Sequence, residues 1–240
     1  MENTRAMLFA AGLGTRFKPW TDLHPKALAL INGRSLLQRN VVYLQQYGIR
    51  KLIVNVHHFA DQVLAAIREN HGWGSEITIS DERDELLETG GGLKKAAWYF
   101  AQDPFVVMNV DILTDLDLGA MMDNHRRHGP LATLAVTGRK TSRYFLFDEQ
   151  DRLCGWRNVK TGEEKRAGDR AGLREKAFSG IHIIDPQIFN LIGRVGKFSI
   201  VDVYLELASS MIIRGFDHTG SKLIDVGKPD SVGEAEKLFL

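Results

Sequence analysis

Apolar residues in this chain fall into short continuous runs, separated by stretches in which they recur at helical spacing. Ala6-Met7-Leu8-Phe9-Ala10-Ala11 is such a run, and it breaks at Gly12-Leu13-Gly14, which predicts a buried strand followed by a turn. Ser35 stands where it can cap a helix whose apolar face is Leu37, Val41 and Leu44, and Gly48 marks its end. Lys51-Leu52-Ile53-Val54-Asn55-Val56 predicts a second buried strand, and Phe59, Val63, Ala66 and Ile67 the face of a second helix. Residues 76–80 alternate as a strand does. The triplet Gly90-Gly91-Gly92 is expected to precede a helix over 93–100, and 104–109 reads as another strand. Strand and helix therefore alternate, which implies parallel strands between two helical layers. Ligands of such sheets bind at the carboxyl ends of the strands. Three polar or glycine-rich segments, 12–26, 88–92 and 109–111, are expected to meet there.

The second half is less regular. Residues 131–136, 144–147 and 177–184 read as strands, and 157–176 as a charged surface loop or hairpin. Ile200, Val203, Tyr204, Leu207, Met211 and Ile212 recur at helical spacing. A last strand at 222–226 and a last helix at 229–239 follow. The fold expected is α/β: a mixed, mostly parallel sheet sandwiched by helices, with a smaller C-terminal lobe. One domain is expected to span 1–240, in two halves at 1–115 and 116–240.

Composition narrows the function. The 240 residues suit one large domain. Lysine plus arginine number 31 against 30 acidic residues, a net charge of +1 that argues against a dedicated nucleic-acid binder. The single cysteine, Cys154, excludes an intramolecular disulfide and a zinc site built on several thiolates. No run of about eighteen apolar residues is present, so no membrane partner is expected. The N-terminus carries no secretory pattern, and a cytoplasmic location is the default.

The loop after the first strand carries the chemistry. Glycines at 12 and 14 let backbone N–H groups approach an anion. A dinucleotide fingerprint needs a third glycine where Phe17 stands, and the Gly-Lys-Ser or Gly-Lys-Thr of a phosphate loop is absent. Arg16, Lys18 and Lys26 nevertheless place three cations in a segment stiffened by Pro19 and Pro25, which suits a polyphosphate. His57 and His58 diverge on regular backbone and are read as loop residues.

Leu8-Phe9-Ala10-Ala11-Gly12-Leu13-Gly14-Thr15-Arg16, followed by Pro19, Thr21, Pro25-Lys26 and Leu28, resembles the signature of the sugar-1-phosphate nucleotidyltransferases. Glu88-Thr89-Gly90-Gly91-Gly92, Asn109-Val110-Asp111, Thr114-Asp115, Phe178-Ser179-Gly180 and Asp225-Val226-Gly227 stand in family order, so the resemblance covers essentially the whole chain. Lys18-Pro19-Trp20 departs from the usual Arg-Pro-Leu, and Val110 replaces a common glycine; neither removes a catalytic group. The resemblance implies a Rossmann-like nucleotidyltransferase fold, with a nucleotide-binding half at 1–115 and a sugar-binding half at 116–240, and the joining of a nucleoside triphosphate to a sugar 1-phosphate. It implies that Ala11, Gly12, Leu13, Gly14, Thr15, Arg16, Lys26, Thr89, Gly90 and Gly91 bind the nucleotide, with Arg16, Lys26 and Asp111 catalytic. It implies that Asp111 and Asp225 coordinate Mg²⁺. Glu88, Asn109, Ser179 and Gly180 are expected at the sugar. Where many relatives carry a base-reading glutamine, the simplest register puts Leu86. The Glu88-to-Gly92 string and the short C-terminal half point to UTP and N-acetylmuramate 1-phosphate, a step of peptidoglycan recycling. The lactyl carboxylate of that sugar needs a cation, for which Lys176 is the first candidate. Guanylyl transfer to mannose or heptose 1-phosphate, and cytidylyl transfer to phosphocholine, are the alternatives. A non-catalytic regulator would be expected to lose Lys26, Arg16 or a metal aspartate, and all are present. The chain shows no hexapeptide repeat after its last helix, so nucleotidyl transfer alone is expected.

Overall fold

The structure is a computed structural model that describes residues 1, 3–168 and 170–240. Its first apolar run forms β1 (Arg5–Phe9), buried in all but its first residue. Two short strands, β2 (Leu30–Ile31) and β3 (Arg34–Ser35), pair antiparallel and lead into α1 (Leu36–Gln46). Ser35 caps α1 as its sequence position implies, its Oγ accepting from the Gln38 amide at 3.1 Å. Ser35→Ala is expected to cost about 1 kcal/mol and to lower the midpoint of a thermal melt by about 2–4 °C; an unchanged midpoint would remove the cap from the account.

There follow β4 (Lys51–Val56), α2 (Ala60–Glu69), β5 (Glu76–Asp81), α3 (Glu88–Lys95), β6 (Phe105–Asn109) and β7 (Ile112–Thr114). The remainder comprises α4 (Leu118–His128), β8 (Ala132–Thr137), β9 (Arg143–Phe147), β10 (Leu153–Asn158), β11 (Glu164–Arg166), β12 (Arg174–Ile184), α5 (Ile188–Leu191), α6 (Ile200–Leu207), β13 (Ile213–Asp217), β14 (Leu223–Asp225) and α7 (Asp230–Leu238). Ten strands form one sheet in the order β11-β10-β9-β12-β6-β1-β4-β5, with β8 branching from β12 and β13 added beyond β8. The segment β5-β4-β1-β6 is parallel throughout. β12 then joins β6 antiparallel, so the sheet runs without a break from the first half of the chain into the second. The fold is the α/β arrangement the alternating pattern implies, a central sheet between helical layers.

Because side chains on a strand alternate, β1 feeds two cores. Ala6 and Leu8 pack with Leu37 and Val41 of α1, Val63 of α2, and Met121 and Met122 of α4. Met7 and Phe9 pack on the opposite face with Leu93 of α3 and Ile200, Val203 and Tyr204 of α6. A third cluster joins Phe17, Ile31, Leu36, Leu113, Ile224 and Val226 beneath the glycine loop. Among the described residues no helix is long and apolar enough to cross a membrane.

Three elements differ from the sequence pattern. The glycine triplet lies inside α3 rather than before it, and the helix ends at Lys95, short of the expected 100. Each glycine is there for close approach: a Cβ on Gly90 would strike the Phe198 ring, one on Gly91 the Gly196 carbonyl, and one on Gly92 would lie 2.6 Å from Glu82 Oε1. The helix expected through Ile212 ends at Leu207, because Ile213 begins β13, which pairs parallel with β8. The 157–176 segment is part strand: β10 and β11 form a hairpin, and β12 already begins at Arg174.

Candidate active site

At the carboxyl end of β1 the Ala10 amide donates to Asn55 Oδ1 at 2.7 Å, and the chain then turns outward. Gly14 has φ 60°, and a Cβ there would sit 2.8 Å from Thr21 Cγ2 and 3.2 Å from Lys26 Cβ. Thr21 Oγ1 closes the turn by donating to the Gly14 carbonyl at 2.9 Å. A 3₁₀ turn over Thr15–Phe17 buries Phe17, above whose ring the Lys26 ammonium sits, 5.9 Å from the centroid. These contacts aim Lys26 inward, where Nζ donates to Asp111 Oδ2 at 2.5 Å.

Asp111 lies between β6 and β7. The Val226 amide donates to the Asp111 carbonyl at 2.8 Å, and β14 pairs with β7 so that Asp225 stands opposite Ile112. The two aspartates, distant in sequence, are thus fixed by backbone pairing. The Asp225 side chain keeps access to solvent, yet its carboxyl is raised above the ordinary carboxylate range. Desolvation by surrounding protein is the main cause and the Asp111 charge the second, opposed by Lys26 and Arg16. Gly227 leaves room for both signs of charge: a Cβ there would be 2.9 Å from Asp225 Oδ1 and 3.3 Å from Arg16 Nη2.

Arg16, Lys26, Asp111 and Gly227 border a cavity of about 450 Å³, whereas Asp225, expected as a metal ligand, does not line it. The three segments expected to converge do meet in its wall, through Ala11, Gly12, Gly14, Thr15, Arg16 and Lys26, then Glu88 and Thr89, then Asn109 and Asp111. Glu88 lines it from left-handed backbone, φ 59°, with its carboxylate 3.7 Å from Lys197. Thr89 Oγ1 accepts from the Ile200 amide at 3.0 Å.

Other expected residues lie elsewhere. Leu13 points outward, 43% exposed. The Gly90 and Gly91 amides, expected at the nucleobase, instead donate to the Phe198 carbonyl at 2.9 and 3.2 Å, because the chain before α6 docks on the glycine face of α3. Ser179 and Gly180 stand behind the wall. Ser179 Oγ is 2.8 Å from His218 Nε2, both residues being buried. Gly180, at φ 74°, is so close to the Asn109 side chain that a Cβ would lie 2.8 Å from its Nδ2. The Ser179-Gly180 bulge therefore braces Asn109 from behind. Lys176 is outside the cavity wall, with Nζ 2.5 Å from Asp217 Oδ2. The pairing of β12 with β9 and β8 carries it to that acidic partner.

Two residues that line the cavity escaped the sequence reading. Glu82 has no exposed surface; its Oε1 accepts from Asn55 Nδ2 at 2.8 Å and its Oε2 from the Leu87 amide at 3.2 Å. Burial raises its carboxyl pKa, opposed by those two hydrogen bonds. Asn55 links Glu82 to the Ala10 amide, so β1, β4 and the segment after β5 are tied at one end of the cavity. Leu86, the expected base-reading position, lines the cavity alongside Glu82. A charged residue after a strand looks like a surface position, and only the β4–β5 register, with Val56 opposite Asp81, places Glu82 inside.

The nucleotidyl transferase family model matches residues 5–240. The chain is 34% identical over 242 residues to an N-acetylmuramate alpha-1-phosphate uridylyltransferase of Caulobacter vibrioides, across 96% of this chain and 95% of that one. It is 30% identical to a UTP--glucose-1-phosphate uridylyltransferase of Synechocystis, covering 94% of this chain and 61% of that longer protein. The crystal structure of HddC from Yersinia pseudotuberculosis, complexed with GMP-PN, shares the fold, with a TM-score of 0.76 at 22% identity, over 99% of this chain and 100% of that one. The chain belongs to the nucleotidyl transferase family. Its reaction class is nucleotidyl transfer to a sugar 1-phosphate.

Proposed function

We propose that this chain transfers the uridylyl group of UTP to N-acetylmuramate 1-phosphate, with Mg²⁺ and release of pyrophosphate, in the cytoplasm. The observation that carries the reading is the gathering of Arg16, Lys26 and Asp111 in the wall of a cavity large enough for a nucleotide, with Asp225 near enough to feel all three charges. Collinearity with the Caulobacter uridylyltransferase supports the choice of base and sugar.

In this reading the sugar phosphate oxygen attacks the α-phosphorus and pyrophosphate leaves. The nucleophile is already ionised at neutral pH, so no general base is needed, and catalysis lies in positioning and charge neutralisation. Arg16, beside the amides of the glycine loop, holds the β- and γ-phosphates and the departing pyrophosphate. Lys26 sits at the α-phosphate. Asn109, braced by Gly180, faces the acceptor, and the Glu82–Asn55 pair fixes the base end of the cavity. The donor set suits magnesium, which takes one or two carboxylates and fills its other positions with phosphate oxygens and water. Asp111 and Asp225 supply two carboxylates, and no group of three acidic, histidine or cysteine ligands gathers among the described residues. Bound magnesium supplies charge neutralisation at the phosphates.

A pyrophosphate-release panel tests this. UTP, GTP, CTP and TTP are crossed with the 1-phosphates of N-acetylmuramate, N-acetylglucosamine, glucose and mannose, with and without EDTA. UTP with N-acetylmuramate 1-phosphate should show the highest kcat/KM by about tenfold or more, and EDTA should abolish turnover. Preference for GTP with a neutral hexose phosphate would overturn the assignment.

A further inference from the structure

N-acetylmuramate differs from N-acetylglucosamine by a lactyl ether ending in a carboxylate. A site that selects it needs a cation beyond those holding the phosphates. The 157–176 segment is rich in cations, yet its principal ones are engaged: Arg157 by Glu164 and Glu175, Arg174 by Asp151, and Lys176 by Asp217.

Arg139, on the loop leaving β8, is placed differently. Its side chain is exposed and makes no ion pair among the described residues, while Nη2 donates to the Phe178 carbonyl at 2.7 Å. Phe178 immediately precedes the Ser179-Gly180 bulge that braces Asn109 in the cavity wall. The loop itself is pinned, because the Gly138 amide donates to Thr219 Oγ1 at 2.9 Å. The Arg139 charge is also felt at Asp225 and at His218, so it lies near both, just outside the cavity wall. A guanidinium has five N–H donors, so one bond to a carbonyl leaves its fork available to a carboxylate. Among the described residues Lys140 and Arg143 make no ion pair either, but neither is tied to the bulge.

We propose that Arg139 receives the lactyl carboxylate of the acceptor and so sets the preference for an acid-bearing sugar 1-phosphate over its neutral counterpart. The role holds only if N-acetylmuramate 1-phosphate is the acceptor, as proposed above.

The test measures kcat/KM for N-acetylmuramate 1-phosphate and N-acetylglucosamine 1-phosphate at saturating UTP, in wild type, Arg139→Gln and Arg139→Lys, with a thermal melt of each. The ratio of the two kcat/KM values should fall about 10–100-fold in Arg139→Gln, through KM of the acid-bearing acceptor. Arg139→Lys should keep an intermediate ratio, and is read in place of the glutamine variant if that one does not fold. A ratio that stays at the wild-type value, with both acceptors affected alike or neither affected, overturns the arginine and leaves the acceptor standing. A wild type that prefers the neutral acceptor overturns both.

Discussion

Asp225→Asn is expected to lower kcat by about three orders of magnitude, about 4 kcal/mol in the barrier, while raising thermal stability in metal-free buffer. The two effects have opposite signs for one reason. The Asp225 carboxyl is raised because desolvation by surrounding protein and the neighbouring Asp111 disfavour its ionised form. A carboxyl with a folded pKa above its unfolded value favours folding most when protonated. Its ionisation destabilises the fold as pH rises from the unfolded value through the folded one. Asparagine removes that charge and its pH dependence together. Asp111→Asn should cut turnover comparably without the gain in stability, since Asp111 is the partner of the Lys26 ammonium, and an asparagine oxygen replaces it imperfectly. Pyrophosphate release and melts in EDTA measure both quantities. Near-wild-type turnover in either variant would remove the two-aspartate metal site.

The largest purely structural effect should come from Gly91→Ala. The added Cβ meets the carbonyl oxygen of Gly196, a backbone atom that cannot rotate away. Overpacking of this kind costs about 3 kcal/mol, and a chain of this length should melt about 6–12 °C lower. Gly233→Ala is the control. It lies inside α7 with nothing within 4 Å of the added Cβ, so it should be stabilised by about 0.5–1 kcal/mol. Denaturant unfolding of both variants gives the comparison, and equal stabilities would deny the close approach of α3 to the 196–198 segment.

What the sequence revealed and what it hid follow from the range of the forces involved. The loop from Gly12 to Lys26 is legible because its constraints are local: a left-handed glycine, a threonine closing the turn, prolines and cations within a few residues. The parallel half of the sheet is legible because hydrophobic periodicity reports burial directly. Glu82 was invisible, since its burial depends on Asn55 and Leu87 meeting it across strands, and hydropathy assigns any carboxylate to the surface. The glycine triplet was read as a helix start because propensity disfavours glycine inside helices. Packing against Phe198 and Gly196 overrode that preference. β13 was hidden for a similar reason: Met211 and Ile212 continue the helical spacing, and only pairing with β8 shows where the chain leaves it. Lys176 stands three residues before Ser179 in sequence, yet strand pairing turns it to Asp217.

The antiparallel clip of β14 on β7 lies outside the main sheet, and with the Val226–Asp111 backbone bond it brings Asp225 beside Asp111. The same segment carries Ile224 and Val226, which pack beneath the glycine loop. A molecule clipped before residue 223 should thus lose both the second carboxylate of the proposed site and the packing that steadies its phosphate loop.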